Sequence, residues 1–365
     1  MKYKKIVIKI GTSVLAKKTG QIDKNIIDSI ASGVSSLLDK GIKVILVSSG
    51  AIGAGTGVLK LKQVPTSLSD LQAIASVGQN ELMRLYSEAF KKRKHLIGQI
   101  LLTQDDFNNR RRYLNIKYTI DTLASKKIIP IVNENDTVST EEIKCGDNDR
   151  LASLVADLCE ADCLVMLTNV DGLYDKEGSV ITIVDEISDD IKKLAVNKCL
   201  SFTKGGMATK IEAAGRAIHS GIDCFIANGK FADSVADILE NKKKCTYFMA
   251  KTKKNKAKKR WIAYSSKIKG KIIVDDGAKK ALVASHKSLL SSGVIGKEGS
   301  FKAGDVVAIA DSKKQEFARG LTSYASKEIE RIKGLKTSQI KSALGYKDHD
   351  EVVHRDNLVI LSITE

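Results

Sequence analysis

Apolar residues along this chain fall into two rhythms. Short runs rich in β-branched residues occur at KIVIKI (5–10), KVILVSS (43–49), LIGQILLT (96–103), IIPIVN (128–133), CLVMLTN (163–169) and IDCFIAN (222–228). Between them lie stretches such as LSDLQAIASVGQNELMRLYSEAFKKR (68–93) and DNDRLASLVADLCE (147–160), with apolar residues every three to four positions. The first rhythm predicts strands and the second predicts helices with one buried stripe. Their alternation predicts an α/β domain around a mostly parallel sheet. The strand runs are almost continuously apolar, as they must be when helices cover both faces, so an αβα sandwich is expected. Ligands of such sheets bind beyond the carboxyl ends of the strands, which directs attention to the residues after each run.

Past residue 260 the texture changes. GKIIVDDGAKKAL, SLLSSGVIGKEGSFKAGDVVAIAD and EFARGLTSY are short β-like runs separated by Gly, Ser and Asp. They predict a small, mainly β module. A length of 365 residues also calls for more than one domain. The expected division is a first domain over 1–250, a basic linker over 251–265 and a second domain over 266–365. Charge supports the joint. The net charge is +17, and beyond residue 250 there are 25 Lys and Arg against 13 Asp and Glu. The run KTKKNKAKKR (251–260) holds seven of these cations without an interleaved aromatic, which favours a solvated linker over a nucleic-acid contact.

Composition narrows the classes further. No apolar run approaches the roughly 20 residues of a membrane span. The opening MKYKKIVIKIGTS is interrupted by Lys9 and lacks a small-residue cleavage pattern, so it reads as a first strand rather than a signal peptide. A cytoplasmic protein is expected. Six cysteines without a CxxC pair are expected to be buried free thiols rather than metal ligands.

The segments after the strands carry the chemistry. Lys9 ends the first run and Gly11-Thr12-Ser13 turn the chain; SSGAIGAGTG (48–57) follows the second. Glycine lets backbone N–H groups approach an anion closely, although no GxxxxGK[ST] loop is present. After the fourth run comes NENDTVSTEEIKCGDNDR, dense in carboxylates and amides, and after the fifth comes LTNVDGLYD. Farther on, FTKGGMATKIEAAGRAI places a Gly-Gly turn before a helix whose first turn carries Lys210. Lys9 and Lys210 at strand ends, with an Asp such as Asp147 holding their ammonium groups, suit phosphoryl transfer, where positioning and charge neutralisation do most of the work. No histidine falls in these loops. A carboxylate acceptor, ionised at neutral pH, needs no general base.

Eight motifs in order, VIKIGTSVL, VSSGAIGAG, VGQ, VNENDTV, GDND, LTNVDGLYD, KGGMATK and the late VHRDNLVI, closely resemble the glutamate 5-kinase family over essentially the whole chain. The resemblance implies an amino acid kinase-like sandwich followed by a PUA-like β-barrel from about residue 266. It implies transfer of the γ-phosphate of ATP to the side-chain carboxylate of L-glutamate, the first step toward proline, with Mg2+ carried by ATP phosphates and water rather than by a protein cage. Matched residue by residue, it implies ATP contacts from Lys9, Gly11, Thr168, Asn169, Lys204, Gly205, Gly206, Met207, Ala208, Thr209 and Lys210. Glutamate would be bound by Ser49, Asp136 and Asn148, and Asp147 would organise the lysines. The family usually has Thr-Asp where this chain has Thr168-Asn169, and Gly-Thr where it has Thr203-Lys204. The resemblance further implies a homo-oligomer, inhibition by proline, and a module that in other enzymes meets RNA. The alternatives are a kinase for aspartate or N-acetylglutamate, and an RNA-binding role for the second domain. Asp136 favours an acceptor with a free ammonium group.

Overall fold

Eight strands make one sheet in the order β3-β4-β2-β1-β5-β7-β8-β6. They span Lys5–Ile10 (β1), Lys43–Ser48 (β2), Leu96–Leu102 (β3), Ile128–Glu134 (β4), Cys163–Thr168 (β5), Ile183–Val184 (β6), Asp223–Asn228 (β7) and Cys245–Phe248 (β8). The computed structural model describes residues 2–16, 21–138, 147–196, 206–250, 262–263 and 268–361, with backbone only at 110, 111, 147, 195 and 196. The chain divides into two compact units, 1–254 and 255–365. All strand pairs in the large sheet are parallel except β7 with β8. The six apolar runs are all strands. β6 and β8 escaped the pattern because they are short, two and four residues, although β8 is buried throughout.

Among the described residues, the α-helices that accompany this sheet are α1 (Thr12–Leu15), α2 (Lys24–Asp39), α3 (Ala51–Val58), α4 (Leu68–Lys91), α5 (Gln104–Asn108), α6 (Arg110–Ser125), α7 (Asp147–Leu158), α8 (Asp189–Val196), α9 (Met207–His219) and α10 (Val235–Leu239). Side chains alternate across β1 with period two. Ile6, Ile8 and Ile10 join a core with Ile27, Ile30 and Val34 of α2 and Leu82, Leu85 and Tyr86 of α4. Each such fully buried side chain contributes about 1.5–3 kcal/mol relative to exposure. Val7 and Lys9 therefore face the opposite layer, where α7 and α9 lie. A lysine on a buried face of the central strand is a costly placement, and it is what brings a cation into the interior.

The strand starts are pinned by carboxylates. Asp162 accepts the backbone N–H groups of Lys4 (2.7 Å) and Lys5 (2.9 Å). Asp223, at the start of β7, accepts from Lys2 Nζ (2.6 Å), the Tyr3 hydroxyl (2.9 Å) and the Ala250 backbone N–H (3.0 Å). Burial pushes the Asp223 carboxyl up, but these donors win and hold it below the ordinary carboxylate range. Cys159, Cys163, Cys224 and Cys245 are buried free thiols, as expected; Cys145 and Cys199 lie outside the described residues. Burial pushes Cys159 up to about 12, so it stays neutral.

The second unit holds a mixed sheet in the order β10-β9-β11-β12-β13, with strands at Gly270–Val274 (β9), Val294–Gly299 (β10), Val306–Ala310 (β11), Glu316–Leu321 (β12) and Leu358–Ile360 (β13). Ile272, Val307, Ile309, Phe317, Tyr324 and Leu358 share its core. Helices at Asp276–Ser285, Ser326–Ile332 and Ile340–Leu344 add to the β texture read from sequence. The basic run 251–260 lies outside the described residues. Among the described residues, no helix is long and apolar enough to cross a membrane.

Candidate active site

The carboxyl ends of β1, β2, β4, β5 and β7 bring the candidate residues together. β1 delivers Lys9, with Gly11 tied to β5 through its N–H to the Leu167 carbonyl (3.2 Å). Lys9 Nζ lies 2.6 Å from Asp149 Oδ1, and Lys210 Nζ lies 3.1 Å from Asp149 Oδ2. All three are buried, at 5%, 1% and 6% exposure for Lys9, Asp149 and Lys210. The Thr209 hydroxyl stands 2.8 Å from Asp149 Oδ2 and 2.9 Å from the Gly206 carbonyl, and its single proton serves one at a time. Burial alone would raise the Asp149 carboxyl. The charges of Lys9 and Lys210, with hydrogen bonds from Lys9 and Thr209, outweigh it and hold the group below the ordinary carboxylate range. Two cations on one anion leave an excess positive charge among these three side chains.

Sequence reasoning gave this bridging role to Asp147; among the described side chains it is Asp149 that meets both lysines. Asp149 shares its helix face with the buried Ala152, Ser153 and Ala156, three, four and seven residues on. Asp147 starts α7, and its side chain is not among those described.

Asn148, between the two aspartates, points toward β2. Its Nδ2 donates to Ser49 Oγ (2.8 Å) and Asn133 Oδ1 (3.2 Å), near the Ser48 carbonyl at 3.5 Å. Its Oδ1 is buried and has no hydrogen-bond partner among the described residues. Beyond Ser49 the chain enters α3 through Gly50 at φ +102, a left-handed conformation that glycine adopts without strain. Among the described residues no side chain caps α3, and the first-turn N–H groups of a helix suit an anion. Asp136 sits half-buried in the turn after β4, three residues past Asn133.

The other end of the row is built from β5 and β7. Thr168 is buried at the end of β5, and its hydroxyl donates to Asn169 Oδ1 at 3.3 Å. An aspartate would accept the same bond, so Asn169 keeps this contact while removing a charge. Asp171 accepts from Asn228 Nδ2 (2.8 Å) and Lys230 Nζ (3.1 Å), and the Asn228 bond followed by Lys230 holds its carboxyl low. Gly206, with Met207, Ala208, Thr209 and Lys210 following, starts α9, and among the described residues no side chain caps it and a Cβ there would meet nothing within 4 Å. Lys204 and Gly205 lie outside the described residues. Asn133 and Gln79, missed from sequence, join the site because Asn133 Nδ2 donates to Gln79 Oε1 at 2.8 Å. A surface depression lined by Ser32, Ser35, Asp39, Arg93 and His95 adjoins the starts of β2 and β3 and takes no part.

A parallel sheet with a lysine–aspartate–lysine bridge at its strand ends defines a class, and the family described as "Amino acid kinase family" matches residues 4–228, with "PUA domain" matching 270–344. The chain belongs to the amino acid kinase family and, more narrowly, to the glutamate 5-kinases. It is 45% identical over 363 residues to "Glutamate 5-kinase" of Thermoanaerobacter sp. (strain X514), covering 98% of each chain. It is 46% identical over 363 residues to "Glutamate 5-kinase" of Caldanaerobacter subterraneus subsp. tengcongensis, again covering 98% of each.

Proposed function

We propose that this chain transfers the γ-phosphoryl group of ATP to the γ-carboxylate of L-glutamate, giving L-glutamyl 5-phosphate, the first step of proline biosynthesis. The observation that carries the reading is the buried Lys9–Asp149–Lys210 bridge beside Asn148, in a chain 45% identical over its length to glutamate 5-kinases. Lys9 and Lys210 neutralise charge on the phosphoryl group in flight, where fixed cations in a water-poor site stabilise the transition state most. Asp149 fixes both ammonium groups before the substrates arrive, so no reorganisation is needed during transfer. The glutamate carboxylate is already ionised and attacks without a base. Asn148 and Asp136 meet its α-ammonium group, and Ser49 with the first amides of α3 meets its α-carboxylate. ATP lies along the β5, β7 and α9 side.

Among the described residues at the bridge, the buried carboxylate of Asp149 is engaged by two lysines, so a magnesium ion would be held by the nucleotide's phosphates and water rather than by Asp149. When bound with ATP, magnesium screens the phosphate charges. Hydroxylamine trapping of the acyl phosphate, run with glutamate, aspartate and N-acetylglutamate, tests the reading. The expected kcat/KM is highest for glutamate. A higher value for either competitor would overturn it.

A further inference from the structure

Resting on the function proposed above, we propose that Gln79 is a positioning residue that fixes which end of the Asn148 amide faces the acceptor, and so makes a free α-ammonium group a requirement of the site. The argument starts from a donor of known sign. The backbone N–H of Glu134 lies 2.9 Å from the Asn133 side chain, and a backbone N–H only donates, so the atom it meets is Asn133 Oδ1. The Asn133 nitrogen therefore points the other way, to Gln79 at 2.8 Å, which must present its oxygen. Asn133 Oδ1 also takes a bond from Asn148, so the facing Asn148 atom is nitrogen, in agreement with its approach to Ser49 Oγ. The chain of amides thus has one direction. It ends with Asn148 Oδ1, an acceptor that is buried and has no hydrogen-bond partner among the described residues. An N–H of an ammonium group satisfies it. A molecule lacking that donor leaves it unmet, which is the costly case for a buried polar atom.

Gln79 is held for this task by backbone packing. The neighbouring Gly78 is pressed so close to α3 that a Cβ would stand 1.8 Å from the Ala51 carbonyl oxygen. α4 therefore crosses α3 at backbone distance beside Gln79, which is itself buried at 9% exposure. Asn133, at 1% exposure, has no solvent to turn to if Gln79 is lost. Its nitrogen would seek another acceptor, the bond to Asn148 would loosen, and Asn148 could present its NH2 group to the substrate ammonium.

The test compares glutamate with glutarate, which has both carboxylates and no ammonium group, in the wild type and in Gln79→Leu and Gln79→Glu. The wild type is expected to prefer glutamate strongly in kcat/KM. In Gln79→Leu the preference should fall about ten-fold or more, mainly through KM for glutamate, with KM for ATP changed by less than about two-fold, since one hydrogen bond to a charged group is at stake. Gln79→Glu keeps an acceptor oxygen toward Asn133 and should retain most of the preference. Thermal melts establish that each variant is folded, and Gln79→Met replaces Gln79→Leu if the latter is not. If glutamate and glutarate turnover fall together, with their ratio unchanged, Gln79 is a packing residue and the proposal is overturned. A wild type inert to glutamate would overturn the functional reading first and this role with it.

Discussion

Asp149 sits between two ammonium groups, and its carboxyl lies below the ordinary carboxylate range because the lysines outweigh the burial that would protonate it. A carboxyl whose folded pKa is depressed contributes stability that is present above its unfolded pKa, near 3.9, and lost as pH falls through the folded value. Asp149→Asn should therefore melt below the wild type at pH 7, and the gap should narrow below about pH 4. A gap independent of pH would mean that packing, not charge, is what the substitution removes. Lys210 serves the other side of the bridge. Lys210→Ala should lower kcat by about two orders of magnitude or more in a steady-state assay, the scale of losing one fixed transition-state donor. Near-wild-type turnover would remove the two-lysine mechanism.

At the scale of elements, α3 and α4 cross through glycines rather than side chains. A Cβ on Gly55 would stand 2.0 Å from the Ile74 carbonyl oxygen, and on Gly78 1.8 Å from that of Ala51. Both obstacles are backbone and cannot swing aside. Gly78→Ala should destabilise the first unit by about 1–3 kcal/mol, the usual cost of overpacking. Gly206→Ala, whose Cβ would meet no described atom within 4 Å, should melt like the wild type. Equal melting of the two variants would refute the close crossing. This crossing also marks where sequence reading stopped. The helix 68–91 and strand 128–134 were both legible from periodicity. That Gln79 of one meets Asn133 of the other, 54 residues away, depends on how closely two backbones approach, and no local pattern encodes that distance. The same limit applies to Asp149: the helix was readable from its period, and the meeting of this one side chain with Lys9 of β1 and Lys210 of α9 is a long-range contact that no local pattern encodes. Lys9 and Lys210 were legible because strand ends and a Gly-Gly turn announce themselves in one dimension.

At the scale of the molecule, every described member of the candidate site belongs to the unit 1–254. A chain ending at residue 254 should fold and keep glutamate-dependent acyl phosphate formation in the hydroxylamine assay. A folded truncation without activity would show that the second unit takes part in the chemistry. The carboxylate at the opposite end of the sheet has a consequence of its own. Asp223 holds Lys2 through one oxygen and the Ala250 N–H through the other, at 2.6 Å and 3.0 Å. The first unit is thus nearly a ring: its beginning and its end are clasped by one side chain, far along the strands from Lys9 and Lys210. Joining residue 250 to residue 2 by a linker of a few residues, and opening the ring instead at the exposed turn around Gly178, should give a circular permutant that folds and turns over glutamate.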